Sequence, residues 1–188
     1  NLLLQQGKIL YWGTSQWSGA EIMEAHRVAQ QYRLIGPAME QPQYNMFERF
    51  KMEQDYLPVF QNTGLGTTIW SPLAAGFLTG KYNEGIPAGS RLSLEGFDWL
   101  KERWIQDDKI KKVKKLNELS GKLGVSLPSL AIAWTIHNPN VTTTILGATS
   151  KEQLEENLKA LEVVKKLTPE VIEKIEKILQ NKPKLDLA

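Results

Sequence analysis

The segment GLGTTIWSPLAAGFLTGKYNEGIPAGSR, residues 64–91, is the stretch on which the fold assignment depends. Residues 65–70 form an apolar and β-branched run, which predicts a buried strand. The following loop has too many glycines and prolines for a regular element, yet it carries four large apolar side chains and two cations: Leu73, Phe77, Leu78, Tyr82, Lys81 and Arg91. Because long irregular segments in compact domains are usually functional or disordered, this loop is the first candidate for a binding site.

Strands and helices alternate on both sides of this loop. Extended or strand segments are predicted at residues 8–15, 35–45, 65–70 and 141–148. Helices are predicted at residues 18–34, 46–61, 107–123, 127–137, 150–161 and 168–179. Three helix starts have specific capping signals: Ser18 with Glu21, Ser150 with Gln153, and Thr168 with Pro169.

Alternating strands and helices predict an α/β fold with a mostly parallel sheet. The strands read as nearly continuous apolar or β-branched runs, which is typical of strands buried on both faces. Two closures are open at this point, a doubly wound sheet and a (β/α)8 TIM barrel. No G-x-G-x-x-G motif follows any strand, so the doubly wound Rossmann fold has no fingerprint here.

The length of the chain favours part of a barrel. A complete TIM barrel typically needs about 250 residues, whereas this sequence has 188 and starts with Asn1. We therefore expect residues 1–188 to be the C-terminal half of a single barrel domain, with the last four β/α units and the C-terminal helices. An isolated half would expose two sheet edges and an apolar face. Dimerisation that completes the sheet is a weaker alternative.

Composition excludes several classes of function. With 41% hydrophobic and 23% charged residues and a formal net charge of +2, the sequence gives no reason to expect nucleic acid as a partner. There is no cysteine, hence no disulfide framework, thiol nucleophile or cysteine metal site. The lysine-rich run at residues 109–115 predicts a solvated helix face. No apolar stretch has the length of a membrane span and no signal peptide is visible, so we expect a cytoplasmic protein without membrane insertion.

Barrel proteins carry their function at the C-terminal ends of the strands. These ends are predicted to present hydrogen-bonding groups and one large aromatic ring: Gly13–Gln16, Glu40–Gln41, Trp70–Leu73 and Gly147–Thr149. Amides, hydroxyls and a tryptophan suit a flat polar ring. The last strand runs into a capped helix start, which is the usual phosphate site of a barrel. Lys81 and Arg91 can then contact a second phosphate.

Several motifs together carry a family resemblance. They are YWGTSQW, EQPQYNMF, TTIWSPLAAGFLTGKY, GIPAGSR and ILGATSKEQLEENLKAL. In order and spacing the sequence resembles the aldo-keto reductase family, and within it the potassium-channel β-subunit-like branch. The resemblance covers nearly the whole chain but only the second half of that family's barrel.

The resemblance implies that the chain binds NADP(H) in an extended conformation across the strand ends. Ser15 and Gln41, with Gln16 beside them, would hydrogen-bond the nicotinamide carboxamide, and Trp70 would stack on the ring. The diphosphate would be lined by Ser71, Pro72, Leu73, Ala74 and Ala75 with positive charge from Lys81 and Arg91. The adenosine and its 2′-phosphate would be held by Gly147, Thr149, Gln153, Glu156 and Asn157. The loop at about 71–106 would act as a clasp over the dinucleotide.

The resemblance also implies that the family's catalytic Asp, Tyr, Lys and His or Asn lie on earlier strands. None of the five tyrosines at positions 11, 32, 44, 56 and 82 matches the family's proton donor, and His26 and His137 are expected at helix surfaces or ends. We therefore predict no catalytic residue and no metal site in this chain. We also expect no turnover from residues 1–188 alone.

Two classes of function stay open on the sequence. The first is an NADPH-dependent oxidoreductase that reduces aldehydes or ketones by hydride transfer, with this chain as its cofactor-binding half. The second is an NADP(H)-binding auxiliary or regulatory subunit of a potassium channel. The expected partners are accordingly a small carbonyl substrate, an ion channel, or further copies of the same protein.

Overall fold

Four short strands form one parallel sheet in the order β1-β2-β3-β4 in the computed structural model, which describes residues 1–184. The strands are Gly13–Thr14 (β1), Met39–Glu40 (β2), Gly66–Ile69 (β3) and Thr143–Thr144 (β4). Thr14 pairs with Glu40 and Glu40 with Thr67, so the strand ends lie level with one another. A parallel sheet with helical connections is one arc of the barrel that the alternation predicts.

The helices follow the strands in chain order. They are Leu2–Gln5 (α1), Gly19–Gln31 (α2), Leu57–Thr63 (α3), Asp98–Trp104 (α4), Asp107–Lys122 (α5), Leu127–His137 (α6), Lys151–Leu158 (α7), Ala160–Val163 (α8) and Pro169–Leu179 (α9). A π-helical turn at Lys51–Asp55 precedes α3, and 3₁₀ turns lie at Ala74–Thr79, Arg91–Ser93 and Val164–Lys166. The predicted caps are present: the Ser18, Ser150 and Thr168 side chains each accept a backbone N–H in the first turn.

The strands are shorter than the sequence indicates, and they are buried on one face only among the described residues. Residues 8–12, predicted as strand, precede β1 as irregular chain in which Leu10 is 82% and Tyr11 77% exposed. Within the sheet Thr14, Glu40, Thr67 and Ile69 are buried against the helices, while their neighbours along each strand are not. The prediction of burial on both faces was therefore wrong for the described residues, because the face away from the helices has no covering layer.

The core lies between the sheet and the helices. Helix α6 is buried along most of its length, from Leu127 to Thr135, and packs against α5, α7 and α8. No single helix among residues 1–184 is both long and apolar enough to cross a bilayer, and only α5 and α6 taken together, with a 93° bend between them, meet that test. Since α6 is the most buried helix, its apolar character is explained by packing.

Part of the lysine-rich stretch is structural. The Lys109 ammonium donates to the Arg103 carbonyl at 2.7 Å, and that of Lys112 donates to the Leu179 carbonyl at 2.6 Å. Lys112 thereby satisfies a carbonyl at the end of α9, where a cation also meets the negative end of the helix dipole. The predicted solvated face consequently applies to only some of these lysines.

A buried ion network joins the segment after β2 to the C-terminal helix. The Arg49 side chain is 3% exposed and forms ion pairs of 2.7 Å with Glu53 and with Glu176. It also donates to Asn181 Oδ1 at 3.2 Å and lies 5.1 Å from the centre of the Trp134 ring. Burial opposes the charge, but the two carboxylates outweigh it and raise the pKa of Arg49.

An apolar groove of about 740 Å³ lies beside β1. Its walls are one face of α2, the Trp12 and Trp17 rings, and the exposed side chains of Leu34 and Ile35. In a closed barrel this edge of the sheet is covered by the β/α unit before β1. The groove is on the helix side of the sheet and is separate from the ends of the strands.

Candidate cofactor site

The carboxyl ends of the first three strands bring three predicted residues together on the open face of the sheet. Because side chains alternate along a strand, Ser15, Gln41 and Trp70 face away from the buried layer formed by Thr14 and Ile69. The Ser15 hydroxyl donates to the Gln41 carbonyl at 3.1 Å. A hydroxyl, a primary amide and an indole ring thus share one accessible surface.

Backbone hydrogen bonds fix the indole-bearing residue beside the second strand. The Trp70 N–H donates to the Pro42 carbonyl at 3.0 Å, and the Tyr44 N–H donates to the Trp70 carbonyl at 3.3 Å. This ladder continues the β2–β3 pairing past the ends of both strands. Trp70 is therefore held at the rim of the sheet by its main chain, and the residue is half-buried there.

The loop after β3 has an unusual backbone. Ser71, Ala74 and Ala75 have φ angles of 57°, 50° and 58°, although none of them is glycine. Such left-handed conformations cost of order 1–3 kcal/mol each and persist only where the surroundings impose them. Gly76, with φ 87°, continues the same turn at no steric cost. Backbone strain of this kind concentrates at binding sites.

Aromatic packing anchors this loop in the core. Phe77, Leu78 and Tyr82 are at most 1% exposed. The Phe77 ring stacks on Trp104 with 5.8 Å between centroids and an interplanar angle of 24°. The apolar residues of the loop thus form a platform under its strained backbone, and Trp104, which the sequence placed in or near the clasp, is part of that platform.

Each of the two cations of the loop lies over an aromatic ring. The Lys81 ammonium lies 5.1 Å from the centre of the Tyr82 ring, and it reaches back over Gly76, where an added Cβ would be 3.2 Å from it. The Arg91 guanidinium lies 5.5 Å from the centre of the Phe97 ring. Neither cation has an ion-pair partner among residues 1–184, so both keep their charge available for an anion.

The loop after β4 is exposed and is tied to the first turn of α7. Gly147, Thr149 and Ser150 are all exposed. The Gln153 side-chain oxygen accepts from the Thr149 N–H at 3.0 Å, and the Gln153 N–H donates to the Ser150 hydroxyl at 3.3 Å. Thr149 and Gln153 therefore lie together at the start of α7, and their contact with an adenosine stays a prediction.

Two predicted residues on α7 are directed elsewhere. The Glu156 carboxylate accepts from the Ser129 hydroxyl at 3.2 Å and from the Lys159 ammonium at 2.6 Å. Lys159 and neighbouring hydroxyls hold the pKa of Glu156 below its usual range. Asn157 is 6% exposed. The contact of both residues with an adenosine stays a prediction. In this structure Glu156 is hydrogen-bonded to Ser129 of α6.

Glu40, which the sequence placed at the strand ends, faces the helix layer. Its Oε2 accepts from the Thr14 hydroxyl, and its Oε1 is buried without a partner among the described residues. Burial and the nearby Glu40 charge raise the pKa of Tyr56. Glu40 is therefore part of the outer core and cannot touch a ligand on the open face.

The tyrosines and acidic groups give no sign of another centre in the described part of the chain. The Tyr44 hydroxyl donates to Glu53 at 2.8 Å, and burial together with that carboxylate raises the pKa of Tyr44. No three metal-binding side chains cluster within residues 1–184. The absence of a catalytic residue from this chain stays a prediction.

Sequence reasoning noted residues 40–47 as a family motif but did not predict that residues 43–49 contact the clasp. The Arg103 guanidinium at the end of α4 donates to Glu48 at 2.8 Å and to the Gln43 amide oxygen at 3.2 Å. Asn45 is fully buried and donates to the Ser71 carbonyl at 3.0 Å. In the sequence Asn45 stands between Tyr44 and Met46, and nothing in that neighbourhood indicates its contact with Ser71.

Comparison with known proteins gives a consistent family assignment. The aldo/keto reductase family model matches residues 2–180. The chain is 51% identical over 185 residues to a probable voltage-gated potassium channel subunit beta of Oryza sativa subsp. japonica, which covers 98% of the chain and 56% of that protein. It is 50% identical over 185 residues to the Arabidopsis thaliana protein described in the same words, with the same coverage.

A fungal protein is similarly related. A putative voltage-gated potassium channel subunit beta of Schizosaccharomyces pombe is 50% identical over 186 residues, which is 96% of the chain and 53% of that protein. The chain thus spans about half the length of the curated relatives it matches. Since the family model covers nearly all of it, the chain belongs to the aldo/keto reductase family.

Proposed function

We propose that this chain binds NADP(H) across the ends of β1–β4 and supplies the cofactor-binding half of an NADPH-dependent reductase of aldehydes or ketones. The observation that carries the proposal is the convergence of Ser15, Gln41 and Trp70 on one open face, next to a strained loop whose two cations have no ion-pair partner among residues 1–184. Membership of the aldo/keto reductase family, whose members typically bind NADP(H), supports it.

The described residues fit such a cofactor in chemical type and order. The Gln41 amide can donate to and accept from a carboxamide, and the Ser15 hydroxyl can do the same. The Trp70 indole offers a flat apolar face to an aromatic ring. Lys81 and Arg91 offer charge-assisted hydrogen bonds to phosphate oxygens. Residues 71–106 would close over the dinucleotide as a clasp.

The bound nicotinamide would supply the hydride that reduces a carbonyl carbon. The residues of this chain would orient it: Trp70 would cover one face of the ring, and Ser15 with Gln41 would fix its rotation. Holding a reactant in a productive geometry lowers the activation barrier, because the entropy of orienting it is lost on binding and not in the reaction step. The proton for the developing alkoxide would come from a group outside residues 1–188, on the other half of the barrel, which we place before β1.

The test is NADPH binding to the full-length protein, read from quenching of tryptophan fluorescence. In Trp70→Ala the quench should shrink and affinity should fall, while Trp70→Phe should keep most of the affinity because it retains a flat ring. Trp17→Ala, which alters the groove beside α2, is the matched control. If NADPH does not bind the unmodified protein, the proposal fails.

A second function is favoured by the names of the relatives, which are described as potassium channel beta subunits at 50–51% identity. In that case the bound NADP(H) would serve an auxiliary subunit that associates with a channel and turns over weakly or not at all. Cofactor binding with no aldehyde-dependent NADPH oxidation, together with co-purification with a channel's cytoplasmic domain, would favour this alternative. A cytoplasmic location and self-association stay predictions in both cases.

A further inference from the structure

Asn45 is a buried asparagine whose side chain connects two separate segments. It is 0% exposed and lies in the loop after β2. Its Oδ1 accepts from the Phe47 N–H at 3.0 Å and from the Glu48 N–H at 3.1 Å. Its Nδ2 donates to the Ser71 carbonyl at 3.0 Å, across 26 positions of sequence. The oxygen therefore shapes the local turn, whereas the nitrogen acts at a distance.

Ser71 is the residue at which the chain leaves the sheet for the proposed diphosphate loop. Its φ of 57° is a left-handed conformation that a serine adopts only under constraint. Its carbonyl accepts from Asn45 and also from the Ala74 N–H at 3.0 Å, and its hydroxyl accepts from the Ala75 N–H at 3.2 Å. The loop from Ser71 to Ala75 is thus held by hydrogen bonds to the carbonyl and the hydroxyl of Ser71.

We propose that Asn45 is a positioning residue for the cofactor: through its Nδ2 it holds the Ser71 carbonyl and thereby keeps the loop from Trp70 to Ala75 in the conformation that binds the dinucleotide. This inference rests on the proposed function. Asn45 itself faces the interior and does not touch the open surface. A loop already in its bound shape has less entropy to lose on binding.

The chemistry of the side chain allows the two roles to be separated. A carboxylate at position 45 can still accept from the two turn N–H groups, but it cannot donate to a carbonyl. Asn45→Asp therefore keeps the turn and removes only the contact with Ser71. When the introduced carboxyl takes up a proton it can donate again, so its effect should diminish at low pH.

The charged neighbours of Asn45 are already paired. Glu48 is bound by Arg103 at 2.8 Å, and Arg49 is held by its two carboxylates at 2.7 Å each. They are present in the unmodified protein as well. A pH effect specific to Asn45→Asp, after division by the unmodified protein's affinity at the same pH, therefore belongs to the introduced carboxyl.

The experiment is calorimetric titration of the full-length protein with NADP⁺ at pH 8 and pH 5.5. At pH 8, Asn45→Asp should bind roughly threefold to tenfold more weakly, the scale of one hydrogen bond, and the deficit should shrink at pH 5.5. Asn62→Asp is the matched control, since Asn62 also donates to a backbone carbonyl, Pro58 at 2.7 Å, but is exposed on α3. It should bind like the unmodified protein at both pH values.

Equal affinity of Asn45→Asp and the unmodified protein at pH 8 would overturn the inference, and so would a deficit that does not change with pH. If the unmodified protein does not bind NADP⁺, the proposed function fails instead, so the two failures are distinguishable. Should the variant not fold, hydrogen exchange of the Asn45 side-chain amide in the unmodified protein decides. Exchange that slows on addition of NADP⁺ supports the proposal, and unchanged exchange overturns it.

Discussion

The loops after β3 and β4 differ in how they are supported, although both are proposed to hold phosphate groups of one ligand. The β3 loop lies on buried aromatic rings and is held from below by Asn45, so that strained residues such as Ser71 and Ala75 stay in place. The β4 loop is exposed from Gly147 to Ser150, and its hydrogen bonds go to the first turn of α7, namely to Gln153 and to the Leu154 N–H.

This difference indicates that the two loops contribute unequally to binding affinity. A preformed loop contributes affinity without an ordering cost, whereas an open loop loses entropy when a ligand orders it. We therefore expect the β3 loop to determine the basic affinity for a dinucleotide. The β4 loop should close late and make the smaller contribution.

The largest expected effect tests the platform beneath the β3 loop. Trp104→Ala removes a ring that is 1% exposed and stacks on Phe77, and should lower the free energy of unfolding by about 3–5 kcal/mol. Urea unfolding of the full-length protein measures it. Trp99→Ala is the control, because Trp99 is 57% exposed on the same helix and should change stability by less than about 0.5 kcal/mol. Similar losses of unfolding free energy in both variants would show that Trp104 gives the β3 loop no special support.

The next effect separates the two cations of the clasp. Arg91→Ala should weaken NADPH binding by roughly 1.5–3 kcal/mol, the scale of a charge-assisted hydrogen bond, and leave NADH nearly unchanged. The family resemblance places Arg91 with Lys81 at the diphosphate. The competing hypothesis is that Arg91, with Thr149 and Gln153, contacts the 2′-phosphate. Lys81→Ala should weaken both cofactors alike, because we assign Lys81 to the diphosphate. Equal losses of NADPH and NADH affinity in Arg91→Ala would assign Arg91 to the diphosphate or to the fold.

A smaller effect tests the open loop. Ser150→Ala removes the hydroxyl that accepts the Gln153 N–H and should cost about 1 kcal/mol of stability, as is usual for an N-cap. It should also weaken NADPH binding, since the start of α7 becomes less ordered. Ser18→Ala removes the equivalent cap of α2, where the hydroxyl accepts the Glu21 N–H, and is expected to reduce stability without changing NADPH affinity. A cofactor defect in the Ser18 variant would show that caps act through global stability.

The smallest expected effect is on the pH dependence of stability, and it comes from His26 on α2, outside both loops. Burial lowers the pKa of His26, and the Nε2 atom of its ring is buried without a partner in the described structure. The unfolded chain, with a histidine pKa of about 6.5, therefore binds the proton more readily than the folded one. Stability should be full above that pH and decline as the pH falls below it. In His26→Gln the decline in urea midpoint between pH 7.5 and 5.5 should be smaller, and identical profiles would contradict the assignment.

Sequence reasoning predicted helices better than strands, for a physical reason. Helix starts have local signals, and the caps at Ser18, Ser150 and Thr168 are present where predicted. Strand pairing depends on distant neighbours, so β-forming residues alone predicted residues 8–15 where the sheet contains only Gly13–Thr14. Leu10 fits a strand by type but lies exposed before it.

The candidate site shows the same limit. Gly147, Trp70 and the capped start of α7 could be placed at the strand ends by spacing, and the family resemblance then suggested their roles. The direction of a side chain could not be read locally: Glu40 and Glu156 turn toward the helices. Asn45 was missed because its contact with Ser71 joins positions 26 residues apart, a separation at which a single sequence carries no signal.

The buried ion network of Arg49 has a consequence for the order in which the chain is made. Its partners Glu176 and Asn181 are 127 and 132 residues further along the chain. During synthesis from the N-terminus, the guanidinium has to stay in water until both have left the ribosome, since a buried charge with a missing partner is strongly unfavourable. The segment after β2 therefore cannot reach its final packing until α9 has been synthesised. Helix α9 then closes over Arg49, a residue that was synthesised much earlier.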